Sequence, residues 1–319
     1  MEMSDMKAIQ RILNEMGIKN LLEILGEDIS FSDLNTLLLE VLRTRTNDLT
    51  PGELLKKYSM NRFVHPAEID PIWLKQVEVE LLKIARSSLF TPIQISPVSP
   101  LGSCSVIATA DQNKVISALR GTEVVSDATN LLALHICDLV KKGSIKNDSD
   151  SIRFSTSHRH IRAQKFEKPG LVPHFHIFCM VTSGRDKGSY SFEKQALFEH
   201  IDVYRKMFKS VFSTDITVKL NASGGYTDSK GFIQRMGDHI HEKLPGVRIL
   251  KNLEERDNLY YQGLQYSIIV KLNGQEIHIG DGGFVDWSQK LLANRKERML
   301  ISGIGLDRIY DLLKNSDAY

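Results

Sequence analysis

The stretch from Arg153 to Thr182 restricts the possible folds more than any other part of the sequence. Arg153, Ser155, Ser157 and Arg159 alternate with His158, His160 and Arg162, so an extended chain carries cations on both faces of one strand. Unpaired buried charge is costly, and such a strand has to meet water, a partner or an anionic ligand. After a basic loop, AQKFEKPGLVP, a second run from His174 to Thr182 sets Phe175, Ile177, Cys179 and Val181 on one side. An aromatic ring beside arginines suits a nucleotide, with stacking for the base and charge for the phosphates. From these two runs alone, a hairpin with a solvated basic face remains an open alternative.

The remaining pattern places this hairpin in an α+β chain. Residues 1–70 read as helical. Ile9, Ile12, Leu13 and Met16 open one amphipathic stretch and Leu34 to Leu42 continue it, with Ser32 and Asp33 as candidate caps. Thr50-Pro51-Gly52-Glu53 starts a further helix, with proline in its first turn. A helix over 71–85 leads into an alternating strand, Phe90 to Ile95, that stops at Pro97 and Pro100. Strands are expected at 106–108, 115–119 and 216–220, and helices at 128–141, 192–212, 231–244, 287–294 and 306–313. Asn273-Gly274 marks a hairpin between 260–270 and 275–279. The expected architecture is an antiparallel sheet flanked by helices over 71–319, with strands 152–162, 174–182 and 260–270 adjacent in it.

Composition excludes several classes. A formal charge of +2 over 319 residues leaves no footprint for wholesale nucleic-acid binding. Cys104, Cys137 and Cys179 are odd in number and unpatterned in spacing, which argues against a disulfide framework and fits a reducing compartment. No signal peptide opens the chain and no apolar run is long enough for a membrane; a cytoplasmic protein is expected. His158/His160 and His174/His176 have spacings that suit zinc, but only Glu167 lies near as a carboxylate, and no metal site is expected.

Four elements resemble the class II aminoacyl-tRNA synthetases, and histidyl-tRNA synthetase most of all. His158-Arg159-His160-Ile161-Arg162-Ala163-Gln164, followed by Phe175-His176, is similar to motif 2, which in that family reads Phe-Arg-His-Glu-Arg-Pro-Gln and then Phe-His-Gln. Arg256-Asp257-Asn258-Leu259-Tyr260-Tyr261-Gln262-Gly263 resembles the histidine signature Arg-Gly-Leu-Asp-Tyr-Tyr-Thr-Gly. Gly282-Gly283-Phe284-Val285-Asp286 resembles Gly-Gly-Arg-Tyr-Asp, and Gly303-Ile304-Gly305-Leu306-Asp307-Arg308 resembles motif 3. Ser126-Asp127-Ala128-Thr129 is a fainter match to Pro-Glu-Gly-Thr, with Arg120-Gly121-Thr122-Glu123 as a competing alignment. The resemblance covers 71–319 and leaves 1–70 unmatched, and a core without an anticodon-binding domain is expected.

The resemblance implies an ATP- and magnesium-dependent reaction in which a carboxylate attacks the α-phosphorus and an acyl-adenylate forms. It assigns Arg159 to the α-phosphate, Phe175 to adenine, Arg308 to the γ-phosphate and Arg256 to the carboxylate–phosphate junction. Asp127, Thr129, Tyr260, Tyr261, Gly282 and Gly283 would hold the amino acid or related carboxylate. The acceptor would be a tRNA, a carrier protein or a small molecule. A homodimer is expected, with helix 71–85 and strand 90–95 as the contact. Ile161, Ile177 and Phe284 depart from the family at polar positions. They favour the alternative of a non-catalytic, ligand-sensing paralogue resembling the regulatory subunit of ATP phosphoribosyltransferase.

Overall fold

A computed structural model describes residues 3–145, 150–164, 173–256, 260–272 and 274–314. The N-terminal region holds helices α1 (Met3–Met16), α2 (Leu21–Glu23, continued by a π-helical turn), α3 (Phe31–Asn47) and α4 (Pro51–Met60). Ser30, rather than Ser32 or Asp33, caps α3, its hydroxyl accepting from the Asp33 N–H at 3.1 Å. Thr50 and Glu53 form a reciprocal capping box on α4. Helix α5 (Pro71–Ser87) follows, with Asp70 as its cap and proline in its first turn.

The core sheet contains β1 (Thr91–Pro92), β5 (Ile152–Ile161), β6 (His174–Arg185), β7 (Ile216–Ser223), β8 (Arg248–Arg256), β9 (Leu264–Leu272), β10 (Gln275–Val285) and β11 (Glu297–Gly305). A small second sheet holds β2 (Val98–Pro100), β3 (Ser117–Ala118) and β4 (Thr122–Val124). Helices α6 (Ala128–Lys141), α7 (Ser191–Val211), α8 (Ser229–Lys243), α9 (Trp287–Leu292) and α10 (Leu306–Lys314) complete the chain. The eight strands run in the order β1-β5-β6-β11-β10-β9-β7-β8. The six central strands are antiparallel, while β1 and β8 join the edges in parallel.

Two layers of helix cover the sheet. One face packs on α5, α7, α8 and α10 through Leu81, Phe178, Met180, Leu197, Tyr204, Phe232 and Ile304, all of them buried. The other packs on α6 and α9 through Leu132, Ile136, Val181, Trp287, Met299 and Ile301. Burying a large apolar side chain contributes about 1.5–3 kcal/mol, so these clusters fix which face each strand residue occupies. Leu74, Val77, Leu81 and Ala85 of α5 point into this core, and Ile72 and Val79 remain outside.

Several expectations change. Strand β9 shares the sheet with β5 and β6 but is separated from β6 by β11 and β10. Sequence reading missed β11, the centre of the sheet. Met299, Leu300 and Ile301 are all buried, which removes the alternation that marks a half-exposed strand, and Gly303 and Gly305 look like turn residues. It also missed β8, a charged edge strand. Residues 103–107 form a π-helical turn where a strand was expected over 106–108, and the expected strands at 90–95 and 115–119 shrink to two residues each. Asn273 lies outside the described residues; β9 and β10 do form a hairpin around it. Cys104, Cys137 and Cys179 are free and buried, and no described helix is long and apolar enough to cross a membrane.

Candidate ligand-binding site

A cavity of about 600 Å³ opens over the face of the sheet that carries α6, a size typical of small-molecule sites. Its floor is laid by Ile177 and Cys179 of β6, Gly303 and Gly305 of β11, and Asp281 of β10. A Cβ at Gly303 would stand 2.9 Å from Ile177 Cγ2 and rise into this floor. The glycines thus keep the backbone of β11 open to a ligand.

The first turn of α6 forms an acidic wall. Asp127 caps the helix, its Oδ1 accepting from the backbone N–H and hydroxyl of Thr129 at 2.9 and 2.7 Å. Its other oxygen accepts from the Tyr260 hydroxyl at 2.7 Å. Behind it, His160 Nε2 accepts from the Ala128 N–H at 2.7 Å, leaving the proton on Nδ1, which is buried without a partner. Burial pushes the His160 pKa down to about 3, the nearby Asp127 charge opposing and the Arg162 charge assisting; the ring is neutral. Tyr261 donates to Asp281 at 2.8 Å, and burial together with that carboxylate holds its phenol well above the ordinary value. His278 lines the same end, its pKa lowered by burial, with Asp281 opposing and Arg308 assisting.

Cationic side chains line the cavity beside this wall. The guanidinium of Arg162 lies 5.2 Å from the centre of the Phe175 ring, and its Nε donates to the Ser126 carbonyl at 3.2 Å. The Phe175 ring lies nearly parallel to that of His160, 6.0 Å away. Arg308 reaches the cavity from the first turn of α10, exposed and without a salt bridge among the described residues, and Lys114 lines the rim. Arg162 likewise has no carboxylate within salt-bridge distance among the described residues. Arg162 stands beside the aromatic ring, and both arginines face the same cavity without a carboxylate partner among the described residues.

The structure gathers Phe175, Asp127, Thr129, Tyr260, Tyr261 and Arg308 around this cavity. It does not bring Arg159 there. The register pairs His160 with Phe175 and Arg159 with His176, so His158, His160 and Arg162 share the cavity face while Arg159 points to the other. There Arg159 Nη1 donates to His174 Nδ1 at 2.8 Å, and Nη2 stands 3.7 Å from Asp307. His174 Nε2 in turn donates to the His65 carbonyl at 2.6 Å. A one-residue difference in register exchanges the faces of a strand, and the long loop between β5 and β6 leaves that register unspecified in the sequence. Ile161 lies on the Arg159 face as well.

Gly282 and Gly283 act by packing. A Cβ on Gly283 would stand 2.5 Å from Tyr261 Cδ1, and one on Gly282 would stand 2.7 Å from Tyr266 Cζ. The pair seats the tyrosines and does not line the cavity. Arg256 ends β8, and its side chain lies outside the described residues, as do residues 257–259 of the same motif and Glu167. Sequence reasoning missed Arg162, Asp281, His278 and Lys114 as cavity residues. Alternation from Phe175 through the true register would have found Arg162, and Asp281 directly precedes the glycine pair. No group of three or more His, Cys, Asp or Glu side chains that could hold a metal ion occurs among the described residues. Behind the sheet, His176 Nε2 stands 2.7 Å from Glu78. Burial alone would raise the Glu78 carboxyl, but contacts from His176 and Lys75 outweigh it and hold it at about 2.

No protein-family model matches the sequence, and no curated protein is significantly similar to it. Solved structures do match. A histidyl-tRNA synthetase from S. aureus superposes with a TM-score of 0.60 at 11% identity, over 78% of this chain and 68% of that one. An ATP phosphoribosyltransferase regulatory subunit/histidyl-tRNA synthetase from Bacillus halodurans gives 0.55 at 12%, over 78% and 82%. A histidine–tRNA ligase subunit from Alicyclobacillus acidocaldarius gives 0.54 at 12%, over 78% and 96%. At such identities the likeness is one of fold. The chain has a class II aminoacyl-tRNA synthetase-like core.

Proposed function

We propose that the cavity binds an amino acid or related small carboxylate beside an adenine nucleotide, and that ligand recognition is the function this geometry supports best. One observation carries it. Asp127, held by Tyr260 and Thr129, shares one cavity with Arg162 and Arg308, neither of which has a carboxylate partner among the described residues. Asp127 suits an ammonium group, Arg162 and Arg308 suit carboxylate or phosphate oxygens, and Phe175 offers a ring to a base. The placement of Arg159 and Ile161 on the opposite face favours sensing, as in the paralogue named above, because neither motif 2 position reaches the ligand.

A second reading, ATP-dependent activation, is favoured by Phe175 and Arg308, which both line the cavity. In it a carboxylate oxygen bonds to the α-phosphorus, the bond to the bridging oxygen breaks, and pyrophosphate leaves. Here Arg162, rather than Arg159, would neutralise the α-phosphate. The acyl group would pass to a tRNA, a carrier protein or a small molecule. The cavity does not fit a protein-held magnesium ion, because no three His, Cys, Asp or Glu side chains gather as a ligand set among the described residues. Any magnesium would arrive on the nucleotide phosphates. Pyrophosphate exchange across a panel of amino acids tests both readings. Amino-acid-stimulated exchange establishes activation, saturable binding without exchange establishes sensing, and the absence of both sinks the ligand reading.

A further inference from the structure

Residues 61–65, which follow α4, touch the core at two points that both adjoin the ligand cavity. The Arg62 guanidinium donates through one nitrogen to the carbonyls of Ala163 and Gln164, the latter at 3.1 Å. The His65 carbonyl accepts from His174 Nε2 at 2.6 Å. Strand β5 ends at Ile161 and β6 begins at His174, so these two contacts fasten the base of the connection between the strands, one on each side. The carbonyls of Ala163 and Gln164 lie past the end of the ladder, where a backbone acceptor takes its partner from outside the sheet. A guanidinium supplies several donors in one rigid fork. The segment that carries it is itself braced. The Asn61 side chain accepts from the Phe63 N–H at 3.1 Å, and the Val64 N–H donates to the Asn61 carbonyl at 3.2 Å. The His65 ring donates to the Tyr58 carbonyl at 2.8 Å, and the Arg62 guanidinium lies 4.4 Å from the centre of the Phe63 ring.

We propose that Arg62 is a positioning residue for the nucleotide end of the cavity, a role that rests on the ligand reading above. Its acceptor Ala163 directly follows Arg162, and the other fastened residue, His174, directly precedes Phe175. Arg162 and Phe175 are the pair whose guanidinium and ring stand 5.2 Å apart in the cavity. Past the ladder, the Arg162 N–H donates to the Pro173 carbonyl at 2.8 Å and the Ala163 N–H to the Lys114 carbonyl at 2.9 Å. Backbone bonds at the end of a ladder open readily. A side chain that pins the carbonyls of Ala163 and Gln164, on a segment that also holds His174, keeps the arginine and the ring in place before a ligand arrives. Gln164 lines the cavity, whereas Arg62 does not. The N-terminal region thus acts on the site through the backbone of its lining residues and not by contact with the ligand.

A double-mutant cycle on the full chain tests this, with calorimetric titration of ATP into wild type, Arg62→Ala, Arg162→Ala and the double variant. Arg62→Ala is expected to weaken ATP binding by about three- to thirty-fold, with the thermal midpoint of the core little changed. The double variant should fall well short of the product of the two single losses, because a residue that acts through another adds little once that one is gone. Arg62→Lys keeps a cationic donor for the two carbonyls and should recover part of the affinity. Hydrogen exchange gives a readout that needs no ligand. The amides of Arg162 and Ala163 should exchange faster in Arg62→Ala than in the wild type, while those of β11 stay as they were. ATP binding by Arg62→Ala as strong as that of the wild type would overturn the proposal. So would losses that multiply in full, since Arg62 would then contact the nucleotide independently. A wild type that takes up neither ATP nor any amino acid would sink the ligand reading, and exchange would then decide the clamp by itself. Unchanged amides at 162 and 163 would overturn it, and faster ones would uphold it.

Discussion

The face assignment of β5 yields the most discriminating substitution experiment. Arg162→Ala removes a guanidinium that has no carboxylate partner among the described residues and that lies 5.2 Å from the Phe175 ring centre. A charge-assisted contact to phosphate contributes about 1.5–3 kcal/mol. The loss in nucleotide affinity should be of that size, or roughly 10- to 150-fold in Kd. Arg159→Ala removes a group that faces His174 and, at long range, Asp307 at the cavity rim. Its ion pair is half-exposed and long, so the cost should fall on stability, at about 1 kcal/mol or less, with nucleotide affinity changed less than about threefold. Calorimetric titration of ATP into wild type and both variants, with thermal unfolding alongside, measures all four quantities. If Arg159→Ala abolishes binding and Arg162→Ala spares it, the register drawn here is wrong.

Two further outcomes follow from the buried groups. His160 and His200 are both held neutral, with burial lowering each to about 3. Since folded pKa values lie below the unfolded one near 6.5, their contribution is complete above pH 6.5 and is lost as pH falls toward 3, at about 1.4 kcal/mol per pH unit for each ring. Urea unfolding at pH 7 and pH 5 should show this loss, and a flat profile across that window would contradict the buried placement. Gly283→Ala places a Cβ 2.5 Å from Tyr261 Cδ1 and 2.6 Å from the Leu264 carbonyl oxygen. It should destabilise by about 1–3 kcal/mol and weaken ligand binding through Tyr261; an unaffected midpoint in denaturant would show that the glycine is not needed for this packing.

How much of this was legible in the sequence depended on locality. Helix α6 was readable to the residue, since its cap, apolar face and basic end all lie within 127–141. Asp127, Thr129, Tyr260 and Tyr261 all line the cavity, and they could be singled out because their motifs are short and do not depend on strand register. The place of Arg159 was not readable, since which face it occupies is set by pairing across a long loop, and the arginine on the cavity face, Arg162, lies three positions further on. Strand β11 was hidden for a different reason. Burial on both faces erases the two-residue alternation, and Gly303 and Gly305, which leave the cavity floor open, look like a turn when read in one dimension.

The central claim is that one cavity holds a zwitterion between Asp127 and the paired arginines. Titration of the wild type and of Asp127→Asn with a panel of amino acids, with and without ADP, tests it most directly. The account predicts saturable binding of at least one amino acid by the wild type and a loss of about ten- to a hundred-fold in Asp127→Asn, where the ammonium loses a charge-assisted contact. The Asn side chain keeps an acceptor for Thr129, so the helix cap and the thermal midpoint should change little. Binding of equal strength to both proteins, or none to the folded wild type under any combination, would contradict it.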